Sequence, residues 1–353
     1  KYLKMNIVFR VDASLQMGTG HVMRCLTLAQ YLKANGIDVE FICRKHKGNL
    51  ISKICLSGFV VHELELSKES KVDGKLSHSH WLGVMQQQDA KECKDILVKT
   101  KVDWLIVDHY ALDEGWHDIL RPHYYKLMVI DDLADRIFQC DVLLNQNLGT
   151  SEADYIHKVP DNCQLLLGCE FGLLRPEFAQ LRDKALSKRK HTKIINNILI
   201  SMGGNDSKNI TYNILKKINN NMDVVVVLGQ VSQHIQMIKE YVNGKSIKVI
   251  IGANNMSELM TNADLAIGAG GSTSWERCCL GLPTLLFVTA DNQQKIAENL
   301  QNIGAVKITR NIKQDLSSMI NNLNNWKTMS NQASKVSDGL GVKRVSEYLL
   351  RAL

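Results

Sequence analysis

The sequence predicts an α/β protein with two domains, each built on a parallel sheet. Short apolar runs alternate with helical patterns along the 353 residues, and the cycle starts again after a polar, basic stretch at residues 174–193. Strands that alternate with helices are typical of right-handed βαβ units and hence of parallel sheets. We therefore predict an N-terminal Rossmann-like domain over residues 1–180 and a C-terminal one over residues 181–353.

The apolar runs are the predicted strands. In the first half they cover residues 7–11, 39–43, 60–63, 104–107, 126–130, 142–144 and 164–167. In the second half they cover residues 197–202, 223–228, 248–251, 265–267, 284–288 and 306–308. Helical patterns cover residues 21–35, 85–100 and 114–121, and the tail from about residue 311 reads as helices only. Ligands of open α/β sheets bind at the carboxyl ends of strands, so we expect the two domains to face each other across a cleft.

Composition disfavours several classes of protein. The net charge is +7, and the densest basic run, residues 184–193, has no interleaved aromatic residues, which argues against a nucleic-acid surface. We expect no signal peptide, and no apolar run of the sequence is as long as a membrane span. The nine cysteines include no C-x-x-C pair. We expect a cytoplasmic monomer that binds no metal, cofactor, nucleic acid or membrane.

The first glycine motif is Gly18-Thr19-Gly20-His21, between the first predicted strand and the first helix. Glycines allow a tight turn and close approach of a ligand, and a helix N-terminus offers unpaired N–H groups. His21 is therefore a candidate general base, or only a helix cap. Asp12 and Ser14, in the same loop, either orient His21, bind the ligand or serve the turn. Met23 stands where a dinucleotide-binding fingerprint needs a third glycine, which disfavours an NAD or FAD enzyme.

A second glycine motif, residues 268–276, follows the predicted strand 265–267. Its glycines, hydroxyls and N–H groups at a helix start form a candidate anion site; these residues are Gly270, Gly271, Ser272 and Thr273. Glu276 lies on the first turn of the helix, where it either accepts from a ribose diol or interacts with the helix dipole. A related strand-to-glycine turn, Ser201-Met202-Gly203-Gly204-Asn205-Asp206, begins the second half.

The two motifs together resemble the two-domain glycosyltransferases of the type that makes bacterial lipid II, which have the GT-B fold. In that family the second domain binds the UDP part of a nucleotide sugar. Further segments narrow the resemblance, from about Met5 to beyond Asn292, to the hydrolases of UDP-2,4-diacetamido-2,4,6-trideoxy-β-L-altropyranose in pseudaminic acid biosynthesis. These segments are Phe9-Arg10-Val11-Asp12-Ala13-Ser14, Val107-Asp108-His109-Tyr110, Ile130-Asp131-Asp132 and Asp291-Asn292-Gln293.

The resemblance implies an enzyme that hydrolyses a UDP-sugar without a metal or another cofactor. His21 matches the base that activates water for inverting attack on the anomeric carbon. Asn292 matches a residue near the sugar or the attacking water, and Tyr110, just past a strand, is a candidate sugar contact. The uracil is expected along residues 251–256. The substrate-binding candidates are Asp12, Ser14, Gly20, Gly204, Ile251, Met256, Gly270, Gly271, Ser272, Thr273 and Glu276.

Three other functions remain open. One is a glycosyltransferase with the same donor site, and another is a hydrolysing UDP-sugar 2-epimerase, for which Asp108 and Asp131 would supply carboxylates at C2. The third, a nucleotide-sugar sensor, is disfavoured by the histidine at the base position. We favour helix capping for both aspartates. His78 and His80 belong to a polar stretch, residues 67–80, which is interpreted as a loop or a lid rather than a metal site.

Overall fold

The computed structural model of the protein describes residues 5–67, 74–204, 206–218, 221–230, 232–290 and 293–352. The chain divides into two compact units. The first unit comprises Lys1–Leu173 together with Gly341–Leu353, and the second comprises Leu174–Leu340.

The first unit is built on a parallel sheet. Its described strands are β1 (Asn6–Val11), β2 (Asp38–Arg44), β3 (Val60–Leu64), β4 (Trp104–Asp108), β5 (Lys126–Ile130), β6 (Val142–Asn145) and β7 (Gln164–Leu167). They lie in the order β3-β2-β1-β4-β5-β6-β7, and all neighbours are parallel. The direction of strand addition reverses between β1 and β4. In open α/β sheets, ligands bind at the carboxyl ends of strands beside such a switch point.

Helices cover both faces of this sheet. They are α1 (Gly20–Ala34), α2 (Ile51–Leu56), α3 (Gln86–Leu97) and α4 (Glu114–Leu120). Successive side chains of a strand point to opposite faces. Ile7 and Phe9 of β1 accordingly join the core beneath α1, and Val8 joins the core that contains Cys93 of α3 and Trp116 of α4.

The second unit repeats this architecture with its own core. Its strands are β8 (Asn197–Ser201), β9 (Asp223–Leu228), β10 (Ile247–Ile251), β11 (Leu265–Ala269), β12 (Thr284–Phe287) and β13 (Lys307–Ile308), in the order β10-β9-β8-β11-β12-β13. The helices are α5 (Pro176–His191), α6 (Ile210–Leu215), α7 (Ile235–Val242), α8 (Met256–Asn262), α9 (Thr273–Cys279), α10 (Gln294–Asn302), α11 (Ile312–Asn321) and α12 (Leu323–Ser334). Its switch point lies between β8 and β11, which both end in glycine loops.

The last helix, α13 (Gly341–Arg351), belongs to the first unit. Val342, Val345 and Leu349 enter the core beside α1, and the Trp104 indole N–H donates to the Leu349 carbonyl at 3.1 Å. From the sequence, this helix was predicted to belong to the second domain, and that domain was predicted to begin at residue 181. The structure instead assigns residues 174–180 to the second unit and residues 341–353 to the first. An amphipathic pattern shows that a helix buries one face, but not which sheet it covers.

The predicted fold class is confirmed. Each strand predicted from an apolar run is present among the described residues, with ends shifted by at most two positions. The helical tail is also present as α11, α12 and α13.

A buried cluster of charged side chains joins β1 and β2 of the first unit to α3 and α4. The Asp89 carboxylate of α3 accepts hydrogen bonds from Arg10 at 2.6 and 3.2 Å, from Arg44 at 2.8 Å and from the Trp116 indole at 2.9 Å. All four side chains are fully buried. Burial by itself would raise the pKa of Asp89, but the two guanidinium groups lower it to about 2.

We expect Asp89→Ala to lower the free energy of unfolding by about 3–5 kcal/mol, because it removes the buried carboxylate that two buried guanidinium groups share. Among the described residues, Arg10 would keep only Asp12 and Arg44 only Glu92 as a carboxylate partner. The depressed pKa means that the contribution of Asp89 is fully present above its ordinary pKa of 3.8 and is lost as the pH falls toward 2. Urea denaturation at pH 7 and pH 3 measures both effects. Asp95→Ala, an exposed change on the same helix, is the control, and equal stability of the two variants would contradict the prediction.

Candidate active site

His21 lies at the carboxyl edge of the first sheet, beside its switch point. It is the second residue of α1, and its Nδ1 is 2.7 Å from Oδ1 of Asp108, the last residue of β4. Because an ionised carboxylate can only accept, Nδ1 carries the proton and Nε2 is left as the basic nitrogen. A Cβ added to Gly20 would meet no atom within 4 Å, so there is open space directly before His21.

Arg24 holds the other side of the Asp108 carboxylate. It follows His21 by three positions on α1, and its Nε and Nη2 each donate to an Asp108 oxygen at 2.7 Å. Burial alone would raise the pKa of Asp108, but the Arg24 guanidinium and His21 hold it well below its ordinary value. Asp108 therefore stays ionised and orients the imidazole. We had favoured a helix-capping role for Asp108, but its carboxylate contacts the side chains of His21 and Arg24.

Asp132 and Tyr110 extend this network. Arg24 Nη1 lies 2.8 Å from an Asp132 oxygen, and the Tyr110 hydroxyl donates to Asp132 at 2.5 Å. The Tyr110 ring packs edge-on against His21 with centroids 4.5 Å apart. Burial, and then the Asp132 charge, raise the pKa of Tyr110, so its hydroxyl remains a neutral donor. Tyr110 is only 5% exposed.

Trp81 and His78 complete an aromatic cluster around Tyr110. Trp81 ends a short 3-10 helix, Ser79–Trp81, and its ring stacks on Tyr110 with centroids 5.6 Å apart. His78 packs edge-on against Trp81 at 4.5 Å and against Tyr110 at 5.3 Å. The loop prediction for residues 67–80 therefore missed this short helix. Residues 68–73 lie outside the described part, so the lid remains an expectation.

Asp12 and Ser14 have other partners than the His21 imidazole among the described contacts. Asp12 is 1% exposed, and its carboxylate accepts from the Arg44 backbone N–H at 2.6 Å and pairs with Arg10 at 2.7 Å. The Ser14 hydroxyl accepts from the backbone N–H groups of the two residues at the turn, Gln16 and Met17. Both side chains are thus engaged in contacts with other residues of the protein. Asp108, and not Asp12, is the carboxylate that orients His21.

Asp131 has a local structural role. Its carboxylate accepts from the Ala134 N–H at 2.7 Å and the Tyr155 hydroxyl at 2.8 Å, and it pairs with Arg136 at 2.9 Å. The side chain is fully buried. These contacts hold the loop after β5 instead of capping a helix.

The second unit brings two glycine loops to the carboxyl ends of β8 and β11. Gly203 has φ +84° and Gly271 has φ +107°, a conformation that favours glycine. A Cβ on Gly270 would lie 3.1 Å from Cβ of Gln293, so the loop passes close to that side chain. Gly204 and Ser272 are exposed, and Thr273 begins α9.

Glu276 lies on α9 beside this loop. Its side chain is 18% exposed, and burial raises its pKa to about 7 although Arg175, 3.9 Å away, opposes the shift. Arg175 also donates to the Asn254 carbonyl at 3.4 Å. This arginine therefore connects Glu276 to residues 251–256, where Ile251 ends β10 and Met256 begins α8.

Asn292 lies outside the described residues. Within the described ranges, no group of three or more histidine, cysteine or acidic side chains is arranged to hold a metal ion. A search of the same ranges finds no helix with the length and apolar character needed to span a membrane.

Three residues of this network, Arg24, Asp132 and Trp81, were not predicted as site residues from the sequence. Arg24 carried a usable signal, because a residue three positions after His21 lies on the same face of a helix. Asp132 follows a predicted strand, but the adjacent Asp131 has the same chemistry, and only the folded chain separates their contacts. Trp81 follows a polar stretch and carried no signal.

Comparison with solved structures defines the class of fold. This structure is similar to a crystal structure of MurG from Acinetobacter baumannii, with a TM-score of 0.68 and 14% sequence identity. The superposition covers 98% of this chain and 99% of the MurG chain. The protein has the GT-B fold, with two Rossmann-like parallel sheets, as expected from the sequence.

Sequence comparison points to particular relatives. Residues 185–348 match the glycosyltransferase family 28 C-terminal domain. The UDP-2,4-diacetamido-2,4,6-trideoxy-beta-L-altropyranose hydrolase of Campylobacter jejuni is 26% identical over 295 residues, which cover 83% of this chain and 95% of that protein. An uncharacterized protein of Methanocaldococcus jannaschii is 27% identical over 300 residues, which cover 82% of this chain but only 57% of the relative's length.

Proposed function

We propose that the protein hydrolyses a UDP-linked deoxy-amino sugar of the UDP-2,4-diacetamido-2,4,6-trideoxy-β-L-altropyranose class, with His21 as the general base. The observation that carries this proposal is the His21–Asp108 pair beside the switch point of the first sheet, with 2.7 Å between Nδ1 and Oδ1. The similarity to the Campylobacter jejuni hydrolase over most of both chains supports the choice of substrate.

The proposed reaction is a single inverting displacement. A water oxygen forms a bond to the anomeric carbon while the bond from that carbon to the UDP oxygen breaks, and UDP leaves with the electron pair. His21 Nε2 takes the proton from the water, and Asp108 stabilises the imidazolium that results. A positioned general base contributes about 10²–10⁴-fold to such a step. UDP is a good leaving group, so no strong acid is required.

We propose the glycine loops of the second unit as the UDP site. Gly204, Gly270, Gly271, Ser272 and Thr273 would meet the diphosphate through backbone N–H groups and hydroxyls. Glu276 would accept from the ribose diol, and residues 251–256 would bind the uracil. The match of residues 185–348 to the glycosyltransferase domain supports this assignment. Asn292 stays a proposed contact near the sugar or the water, and Tyr110 stays a proposed contact of the sugar.

Proton NMR of the purified protein with this UDP-sugar, without added metal, tests the proposal. We expect UDP and a free sugar whose first-formed anomer is inverted. Retention of configuration or an intact substrate would overturn the proposed reaction. Observation of the early anomer is necessary because free sugars later equilibrate in water.

Glu276→Gln is expected to weaken UDP binding about tenfold at pH 8, because hydrogen bonds to a charged acceptor are stronger than those to an amide. With a pKa of about 7, Glu276 of the free protein is mostly protonated at pH 6 and mostly ionised at pH 8. The wild type should therefore gain more affinity than the variant between these pH values, and binding near pH 7 should release a proton. Calorimetry at both pH values measures these differences.

Glu258→Gln, an exposed change on α8, is the control for Glu276→Gln. Identical UDP affinities of the wild type and Glu276→Gln at both pH values would contradict the prediction.

A glycosyltransferase with the same donor site is the second candidate, favoured by the match to family 28. It would require an acceptor before turnover, so an unreactive UDP-sugar that nevertheless binds would favour it. A 2-epimerase receives less support, because Asp108 and Asp131 are fully buried or nearly so and each is paired with an arginine. Neither carboxylate is free to take a proton from C2.

A further inference from the structure

Of the two aromatic rings described in contact with His21, those of Tyr110 and Trp81, the Trp81 ring is the one that stays partly exposed. The Tyr110 ring is almost completely buried and its hydroxyl is bound by Asp132. Trp81 is half-buried, stacks on Tyr110 at 24° between ring planes and has its ring centroid 6.3 Å from that of His21. An apolar surface therefore lies next to the proposed base.

Several neighbours hold this surface in place. His78 packs edge-on against both Trp81 and Tyr110, and the Arg136 guanidinium lies 5.8 Å from the Tyr110 ring centroid. Burial lowers the pKa of His78, so this ring is neutral near pH 7 and adds to the apolar character of the cluster. A preformed surface binds a ligand without the entropic cost of ordering its side chains.

We propose that Trp81 forms an apolar subsite that selects UDP-sugars with a methyl group at C6. This inference rests on the proposed function and specifies which part of the sugar the first unit recognises. Aliphatic C–H groups carry a small positive charge that complements the negative face of an aromatic ring. A hydroxyl in the same place would lose its water without gaining a partner. The indole face therefore favours the 6-deoxy sugar over its 6-hydroxy analogue.

The test compares Trp81→Ala and Trp81→Phe with the wild type, using the 6-deoxy UDP-sugar, its 6-hydroxy analogue and UDP alone. For Trp81→Ala we expect KM for the 6-deoxy substrate to rise about tenfold, as loss of an aromatic contact implies. The affinity for UDP and the KM for the 6-hydroxy analogue should stay unchanged, and Trp81→Phe should keep most of the preference. Tyr125→Ala removes an exposed aromatic side chain just before β5, at the opposite edge of the sheet, and is the matched control.

An unchanged preference between the two sugars in Trp81→Ala would overturn the inference. Fluorescence separates this failure from failure of the proposed function, because the other four tryptophans, Trp104, Trp116, Trp275 and Trp326, are fully buried. Protection of Trp81 from acrylamide by the intact UDP-sugar, but not by UDP, would support the subsite even if no hydrolysis occurred. Absence of that protection in the wild type would overturn the subsite whether or not hydrolysis occurred.

Discussion

Replacement of His21 by alanine is expected to lower kcat for the UDP-sugar by about 10²–10⁴-fold, the usual contribution of a positioned general base. The imidazole is the group that Asp108 orients and beside which Gly20 leaves open space. The glycine loops proposed for UDP belong to the other unit, so the dissociation constant for UDP should stay the same. Steady-state hydrolysis and calorimetry with UDP measure the two quantities.

His62→Ala is the matched control for this variant. His62 lies on β3 and pairs with Glu40 at 2.6 Å, and both side chains are about one-third exposed. Its loss should leave turnover unchanged. Full turnover by His21→Ala would refute the assignment of the base, whereas simultaneous loss of UDP binding would contradict the division of roles between the two units.

Asp108→Asn is expected to lower kcat by about 10³-fold with little change in KM, since an amide neither imposes the required tautomer nor stabilises the imidazolium. Asp108 is a positioning residue, because it acts through His21. The change also leaves the Arg24 guanidinium without its bidentate carboxylate, so the protein should lose stability. Steady-state hydrolysis assays between pH 5 and pH 9 should show a shifted pH profile of kcat. A loss of stability alone would not produce this shift.

Asp131→Asn separates the two effects of this change. Asp131 is as buried as Asp108 and is likewise paired with an arginine, yet among its described contacts none is with His21. The two variants should lose similar stability in thermal denaturation, and Asp131→Asn should keep most of its kcat. Equal losses of kcat would mean that Asp108 serves the fold and not the reaction.

The fold could be predicted from the sequence because the spacing of apolar residues and the positions of turn residues are local properties of the chain. An apolar run such as residues 104–107 is too short for a helix, and a glycine turn or helical pattern follows nearly every such run. The side of the sheet on which α13 packs is not a local property, because α13 shares a core with α1, which lies far from it in the sequence.

The candidate site was predicted only in part, for a related reason. His21 and the glycine loops can be recognised from the residues that are adjacent to them in the sequence. The partner of His21 is Asp108, 87 positions away, and nothing in one sequence distinguishes that aspartate from Asp12 or Asp131. The assignment requires the register of β1 against β4, which pairs Val11 with Asp108 and so brings the carboxylate to the start of α1.

The position of α13 gives the chain the topology of an inserted domain. Residues 174–340 form an uninterrupted unit, whereas the first unit consists of two separated segments. During synthesis the inserted unit has all of its residues before the other has its last helix, so it is able to mature first. A fragment that ends at residue 173 lacks the helix that covers Trp104 and should expose that part of its core. Recombinant dissection should therefore tether residues 341–353 to residue 173 through a short linker.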